Sequence, residues 1–443
     1  AGSFTTLAAS GTVTIPDNAI SGDKIEGGTI NAITINTLTA TNGASVQGLT
    51  VGRGAGAVAT NTAVGASALA ANTSGAYNAA FGTSALSLTQ GGAFNTGLGW
   101  GALALNVSGA QNTAVGQNAL YTNTGDYNTA VGRSALLANT SGGNNVAIGR
   151  EALIANTTAS NNTAVGYQAA YSNTTGIGHT AIGYQAGLSG ITNNAVTAVG
   201  RSVFKYTTAS NNTGVGDEVG LSTTTGSSNT AMGVVAFYHN TTGSNNLAMG
   251  QQALFNNTTA SNNTAVGYQA GYSGTTGFQN TSVGSNAAQY QTNNNNTALG
   301  YNAMLGVSGS SSGGANVAIG ANSLSGLLTG DFNVAVGRQA LTSNTTASDN
   351  VAVGYQAGYS TTTGIENTAI GSGALYTNTI GVANVALGVN TQYFNTTGSY
   401  NTAIGRAALS QNTTASSNTA VGHQAGYSNT TGTSLVAMGK TAL

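Results

Sequence analysis

Three His, ten carboxylates and nine basic side chains are all the ionic chemistry that 443 residues offer. His179, His239 and His423 stand at three different places in the pattern described below, and Asp217-Glu218 is the only adjacent acidic pair. Ser and Thr are abundant, but no Ser-His-Asp set can be nominated, and without Cys there is no Cys-His pair and no thiolate metal site. A calcium-binding β-roll needs a phased Asp, and a phosphate loop needs a glycine motif ending in Lys. Neither pattern is present. The expectation is therefore no catalytic site, no cofactor and no metal. Only 4% of the residues are charged, against about 25% in ordinary globular domains. There is no basic stripe for nucleic acid and no run of about 20 apolar residues to cross a membrane. Residues 1–20 lack the basic start and apolar stretch of a signal peptide. The chain opens on Ala1, as a processed product or a piece of a longer one would.

The residues that recur with chemistry in them follow one glycine. That anchor closes Asn-Thr-Ala-Val-Gly or a close variant 23 times, from Gly65 to Gly439, and 18 of the 22 spacings are 17 residues. Three spacings are 16, and one, Gly300 to Gly320, is 20. Just after the anchor stand Trp100, Arg133, Arg150, Tyr167, Tyr184, Arg201, Tyr268, Arg338, Tyr355 and Arg406. A position that accepts Trp, Arg, Asp and Ala is solvent-exposed. It is read either as a solvated edge whose long side chains cover the next coil or as a repetitive Arg/Tyr strip for glycan or surface contact.

A fixed period of this length marks a solenoid, one coil per repeat. Each coil is expected to hold two short strands and two turns, the second strand at Ala152-Leu153 or Gln168-Ala169. In Asn162-Thr163-Ala164-Val165-Gly166, alternation puts Thr163 and Val165 on one side and Ala164 and Gly166 on the other. The residue before the anchor is apolar in all 23 copies, and that side is read as the core. Stacked Asn four residues before the anchor, in 20 of 23 copies, suggests an amide ladder. Asn-x-Ser/Thr triplets such as Asn156-Thr157-Thr158 are read as turn chemistry. Coils stacked at about 4.8 Å would extend roughly 110 Å. The long spacing is expected to be a bulge within Gly306–Gly314 that leaves its neighbours in register.

Two residues before the anchor stands Ala in 20 copies, Gly97 and Gly214 in two, and Ser282 in one. Some backbone must approach this face closely. Either the interior of one chain is narrow there, or identical chains meet along it. The second reading makes Ala164, Gly166, Ala265, Gly267, Ala352 and Gly354 candidates for a homotrimer interface.

Asn144-Asn145-Val146-Ala147-Ile148-Gly149 and Asn401-Thr402-Ala403-Ile404-Gly405 resemble the N-x-V-A-I-G signature of trimeric autotransporter adhesin heads. Longer copies such as Asn263–Ser273 are also similar to repeats in bacteriophage and bacterial surface fibres. The likeness covers about residues 51–443. It implies an all-β fold, a left-handed parallel β-roll assembled as a homotrimeric rod. It also implies that the small residues lie toward the trimer and the branched ones fill each roll. The period departs from the adhesin heads, whose coil is a few residues shorter.

Residues 1–50 differ from the rest. They hold the only Pro, Pro16, and two strand-like stretches, Thr12–Ile15 and Ala32–Leu38. They are read as cap and attachment segment, with residues 51–443 as the solenoid domain. The expected function is a non-enzymatic structural fibre of a virion, extracellular, attaching to a host surface glycan or protein. The N-terminal segment would join other virion proteins. A bacterial cell-surface trimeric adhesin is the alternative. An ice-binding solenoid is a third class, disfavoured because the phased Thr163 and Thr264 are placed on the core side.

Overall fold

The computed structural model describes residues 44–46 and 49–443. The strand-like stretches of the first 40 residues, Thr12–Ile15 and Ala32–Leu38, lie outside the described residues. The chain divides into Ala1–Asn42 and Gly43–Leu443, so the second unit begins a few residues before the boundary read from sequence.

That second unit is a parallel β-solenoid of about 22 turns. Strands β1 (Ala44–Val46) and β2 (Leu49–Gly52) form an antiparallel pair. β2 then lies antiparallel on β3 (Thr62–Val64), with Val51 opposite Val64. From β3 to β25 (Val436–Met438), 23 three-residue strands follow in chain order, each parallel to the last. The sheet edge at β3 is thus covered by a strand running the other way, which removes a template for mispairing. The only helical element among the described residues is a 3-10 turn, Ala55–Ala57.

Each coil holds one strand, not two. The segment expected as a second strand alternates into the left-handed region, with φ +49° at Leu153 and +53° at Gln168. It is an arc rather than a strand. It still bonds from coil to coil, Leu153 N donating to Ala169 O at 3.0 Å. The true strands do the same, Thr163 N donating to His179 O and Gly166 N to Ile148 O at 2.8 and 2.7 Å.

The 20-residue coil conforms to expectation. Strands β17 (Thr297–Leu299) and β18 (Val317–Ile319) pair Thr297 with Val317 and Leu299 with Ile319, in register. The extra residues leave as an exposed turn, Val307–Ser310. Ser311 returns the chain to the coil, its hydroxyl accepting from Val307 N and donating to Leu327 O at 2.8 Å.

The sides of the strand are reversed from the sequence reading. In all 23 parallel strands the middle residue is buried and its two neighbours are half-buried or exposed. Ala164, Ala265 and Ala352 are 0% exposed within one chain. Thr163, Val165 and their equivalents point outward. The core is built instead from three small or slender columns: the strand Ala, an Ala three residues after the anchor, and a Leu after that, as in Ala147, Ala152 and Leu153.

The interior is narrow, which is why only Ala, Gly and, once, Ser282 occur on the strand's inner side. Phe204 shows the limit. It is fully buried where most coils carry Leu, and the positions facing it are Gly214 and Gly220. A Cβ on Gly214 would sit 2.7 Å from its ring, so the large side chain requires the missing one. The anchor glycines have a separate cause. Gly267 has φ +135°, and a Cβ there would lie 2.5 Å from Gly284 O. Only glycine takes that conformation at that approach.

Candidate functional site

Two amide ladders close the interior on the side opposite the anchor. One is the column four residues before it. Asn350 Nδ2 donates to Asn333 Oδ1 at 3.2 Å and to Gly364 O at 3.0 Å, and Asn350 Oδ1 accepts from Asn367 N at 2.9 Å. The pattern repeats through Asn384 and Asn401. The second, seven residues after the anchor, was not anticipated. Asn156 Nδ2 donates to Asn139 Oδ1 at 2.7 Å, and Asn173 to Asn156 at 3.1 Å. Its signal was the Asn-Thr-Thr triplet, read only as turn chemistry. These Asn are buried, so the triplets that begin at Asn156 and Asn173 offer no accessible side-chain amide.

Where Asn gives way to His179 in the first ladder, the imidazole takes the same place. Asn162 Oδ1 accepts from His179 N, and His179 Nε2 lies 2.8 Å from Asn193 O. Burial pushes its pKa below the ordinary value, while hydrogen bonds to the Asn193 and Val196 backbone oppose the shift. No carboxylate borders it; the surrounding cavity is walled by Ala170, Asn173, Gly187 and Val196. His239 lies on the surface, edge-on to Tyr238 and Phe255. Among the described residues no three His, Asp or Glu converge as a metal site would require.

Three surfaces remain. The first is the outward side of the strands, where Thr or Val (Ala79 and Leu247 excepted) alternates with Val, Ile, Leu, Met or Phe81. Neither column contains a charged residue in any coil. Leu98 is 48% exposed, Met232 44% and Leu387 43%. Fifteen of the 23 positions three before the anchor are Thr, including an unbroken run at Thr163, Thr180, Thr197, Thr213 and Thr230. Parallel register stacks these in two straight columns.

The second surface is the strip after the anchor. Trp100, Arg133, Arg150, Tyr184, Arg201, Tyr268, Arg338, Tyr355 and Arg406 are exposed, and Tyr167 is half-buried. Neighbours on the strip meet across coils. Tyr167 stacks on Tyr184 at 5.4 Å, and the Arg150 and Arg338 guanidinium groups lie over Tyr167 and Tyr355. Arg201 spans Asp217 and Glu218, which hold it more firmly protonated. Glu151 accepts from the Gln168 amide and from Arg150, and both keep its carboxyl below the usual range. Two of the strip's cations, Arg150 and Arg201, are thus matched by carboxylates within the chain.

The third surface was missed. Aromatic residues recur five after the anchor, and the structure stacks them. Tyr359, Tyr376 and Tyr393 lie 5.1 and 4.8 Å apart with rings within 9° of parallel. Tyr238, Phe255 and Tyr272 form a second column. Desolvation, and then the neighbouring tyrosines, raise the Tyr376 pKa. The rings spend their faces on one another, so these columns bind coil to coil.

The proposed trimer candidates do not form a surface. Ala164, Ala265 and Ala352 project into the coil, and Gly166, Gly267 and Gly354 each face the backbone of the next anchor glycine. Their smallness is explained within one chain. Among the described residues no helix is long and apolar enough to cross a membrane. No family model, no curated protein and no solved structure matches this chain.

Proposed function

We propose that the chain is a structural fibre protein of a virion, assembled as a homotrimer and presenting the strip after the anchor to a host surface glycan or protein. The observation that carries the reading is the outward side of the sheet: two columns, mostly Thr, Val, Ile, Leu and Met, through 23 coils, with no charge in either. Exposed apolar surface that continuous marks an interaction site. A second copy of the same chain fits it best, because it repeats at the same rise and meets the columns coil for coil. The seam is therefore the Thr/Val side, not the Ala/Gly side. The likeness to adhesin heads and phage fibres supports three chains, a left-handed roll and an extracellular setting. Attachment through residues 1–50 to other virion proteins belongs to the same reading.

The test is mass by light scattering for the parent, Val266→Lys and Ala265→Leu. The parent should have the mass of three chains. Val266→Lys should weaken assembly while leaving each chain folded, and Ala265→Leu should lower the folding stability itself by about 1–3 kcal/mol. A monomeric parent would refute the trimer.

One observation favours a second reading. The phased Thr lie outward, contrary to the placement that disfavoured ice binding. The run Thr163 to Thr230 offers a regular row of hydroxyl and methyl groups. A monomeric chain with thermal hysteresis, abolished by Thr197→Lys, would establish that reading in place of the first.

A further inference from the structure

The ladder seven residues after the anchor is interrupted by glycine in two coils, at Gly190 and Gly274. A cavity of about 10 Å³ lies at each. The Gly274 cavity is lined by Leu254, Asn263, Gly271, Gly277 and Gln291. Gln291 is 4% exposed, and neither its Oε1 nor its Nε2 has a protein partner. One coil earlier in the same column, Asn257 donates to Asn240 Oδ1 at 3.0 Å, but its own Oδ1 has no donor. That donor is the amide an Asn at 274 would supply. At Gly190 the unpartnered atom is a different one: Asn193, three residues on and 4% exposed, turns its side chain toward the glycine with its Oδ1 unpartnered, whereas Asn173 Oδ1 one coil earlier accepts from Gly176 N.

We propose that each glycine gap is a binding site for one buried water molecule, which stands in for the missing amide. At Gly274 the water lies against Gln291, whose two unpartnered amide atoms are in the cavity wall, donating to Oε1 and accepting from Nε2. The space is that of a single water, and a stable internal water needs two to four polar partners. Leaving the two buried amide atoms of Gln291 without partners costs more than immobilising one water. A dry void of this size would instead be lined by apolar groups.

Gly274 suits a test because it is a mild site to fill. A Cβ there would lie 3.5 Å from Gly271 O and 3.6 Å from Gln291 O, ordinary contacts, and its φ lies outside the left-handed range. Gly274→Asn should restore the amide, release the water and raise the thermal unfolding midpoint. Gly274→Ala should displace the water without replacing its bonds and lower the midpoint. Water-oxygen magnetic relaxation on the full chain counts long-lived internal waters, and both variants should show one fewer than the parent. If Gly274→Ala raises the midpoint as Gly274→Asn does, the cavity is dry and the proposal fails. An unchanged count of long-lived waters in Gly274→Asn refutes it independently of stability.

Discussion

Replacing Asn350 by Ala removes one rung from the first ladder without disturbing the apolar columns. The side chain is 1% exposed and makes five hydrogen bonds, three from Nδ2 and two to Oδ1. Most of its partners keep a second bond. Ser348 O still accepts from Glu366 N, and Asn367 Nδ2 still donates to Gly381 O. Two groups do not. Asn367 N–H loses its acceptor, and Gly364 O loses its amide donor. A buried polar group left unpaired costs about 1–3 kcal/mol, so two give about 2–6 kcal/mol before the coil relaxes. Each repeat touches only its neighbours, so the weakened level should also divide the unfolding into two steps. Urea denaturation followed by circular dichroism, with Tyr301→Ala at the exposed strip as control, reads both effects. The control should lie within about 0.5 kcal/mol of the parent. If Asn350→Ala unfolds with the control, the ladder is ornament and the argument from buried amides is wrong.

Gly354→Ala should destabilise by about 1–3 kcal/mol or more, since φ is +138° and the new Cβ would lie 2.7 Å from the Gly371 carbonyl. Gly178→Asn should be nearly neutral by the same urea assay. Its φ is +71° with open space around it, and Asn161 occupies the equivalent place one coil earlier at φ +62°. His179 predicts an acid weakness. Its folded pKa lies below the ordinary 6.5, so the unfolded chain takes up the proton first. The stability it contributes is intact above that value and falls as pH drops from about 6.5 toward the folded pKa. Thermal unfolding at neutral and mildly acidic pH should show this loss in the parent and a smaller one in His179→Asn, which restores the ladder residue; an equal loss in both would rule it out.

The period, the strand at Thr-Ala-Val, the insertion at Gly306–Gly314 and the first Asn ladder were all legible, because each follows from repetition alone. The sidedness of the strand was not. Alternation defines two faces at Thr163-Ala164-Val165 but does not say which is inside, and the rule that branched apolar residues form the core pointed to Val165. What decided it is the width of the coil, which depends on the arc through Ala169 and Ala170. Positive φ at Gln168 and Ala170 draws that arc close to the strand, leaving room for Ala164 and not for Val. The sequence held a trace of this, since Ala recurs three residues after the anchor as well as two before it. The Tyr359-Tyr376-Tyr393 column was not legible for a different reason: the same position holds Ala70, Ser87, Leu137 and Lys205 in other coils, so repetition does not mark it.

The two amide ladders have a direction. In both columns the Asn of the later coil donates Nδ2 and the Asn of the earlier coil accepts at Oδ1, as in Asn173 to Asn156 and Asn401 to Asn384. Every such amide therefore turns its positive N–H end toward the N-terminal coils and its negative oxygen toward the C-terminal ones. Aligned amide dipoles add, as they do along a helix. The solenoid is thus an electret wound from neutral side chains, carrying an axial polarity that its net charge of −1 does not disclose. Two such solenoids laid side by side in parallel repel slightly through these columns, and antiparallel ones attract. A parallel bundle must therefore draw its cohesion from the Thr and Val columns of the sheet and keep the amide side of each coil turned outward.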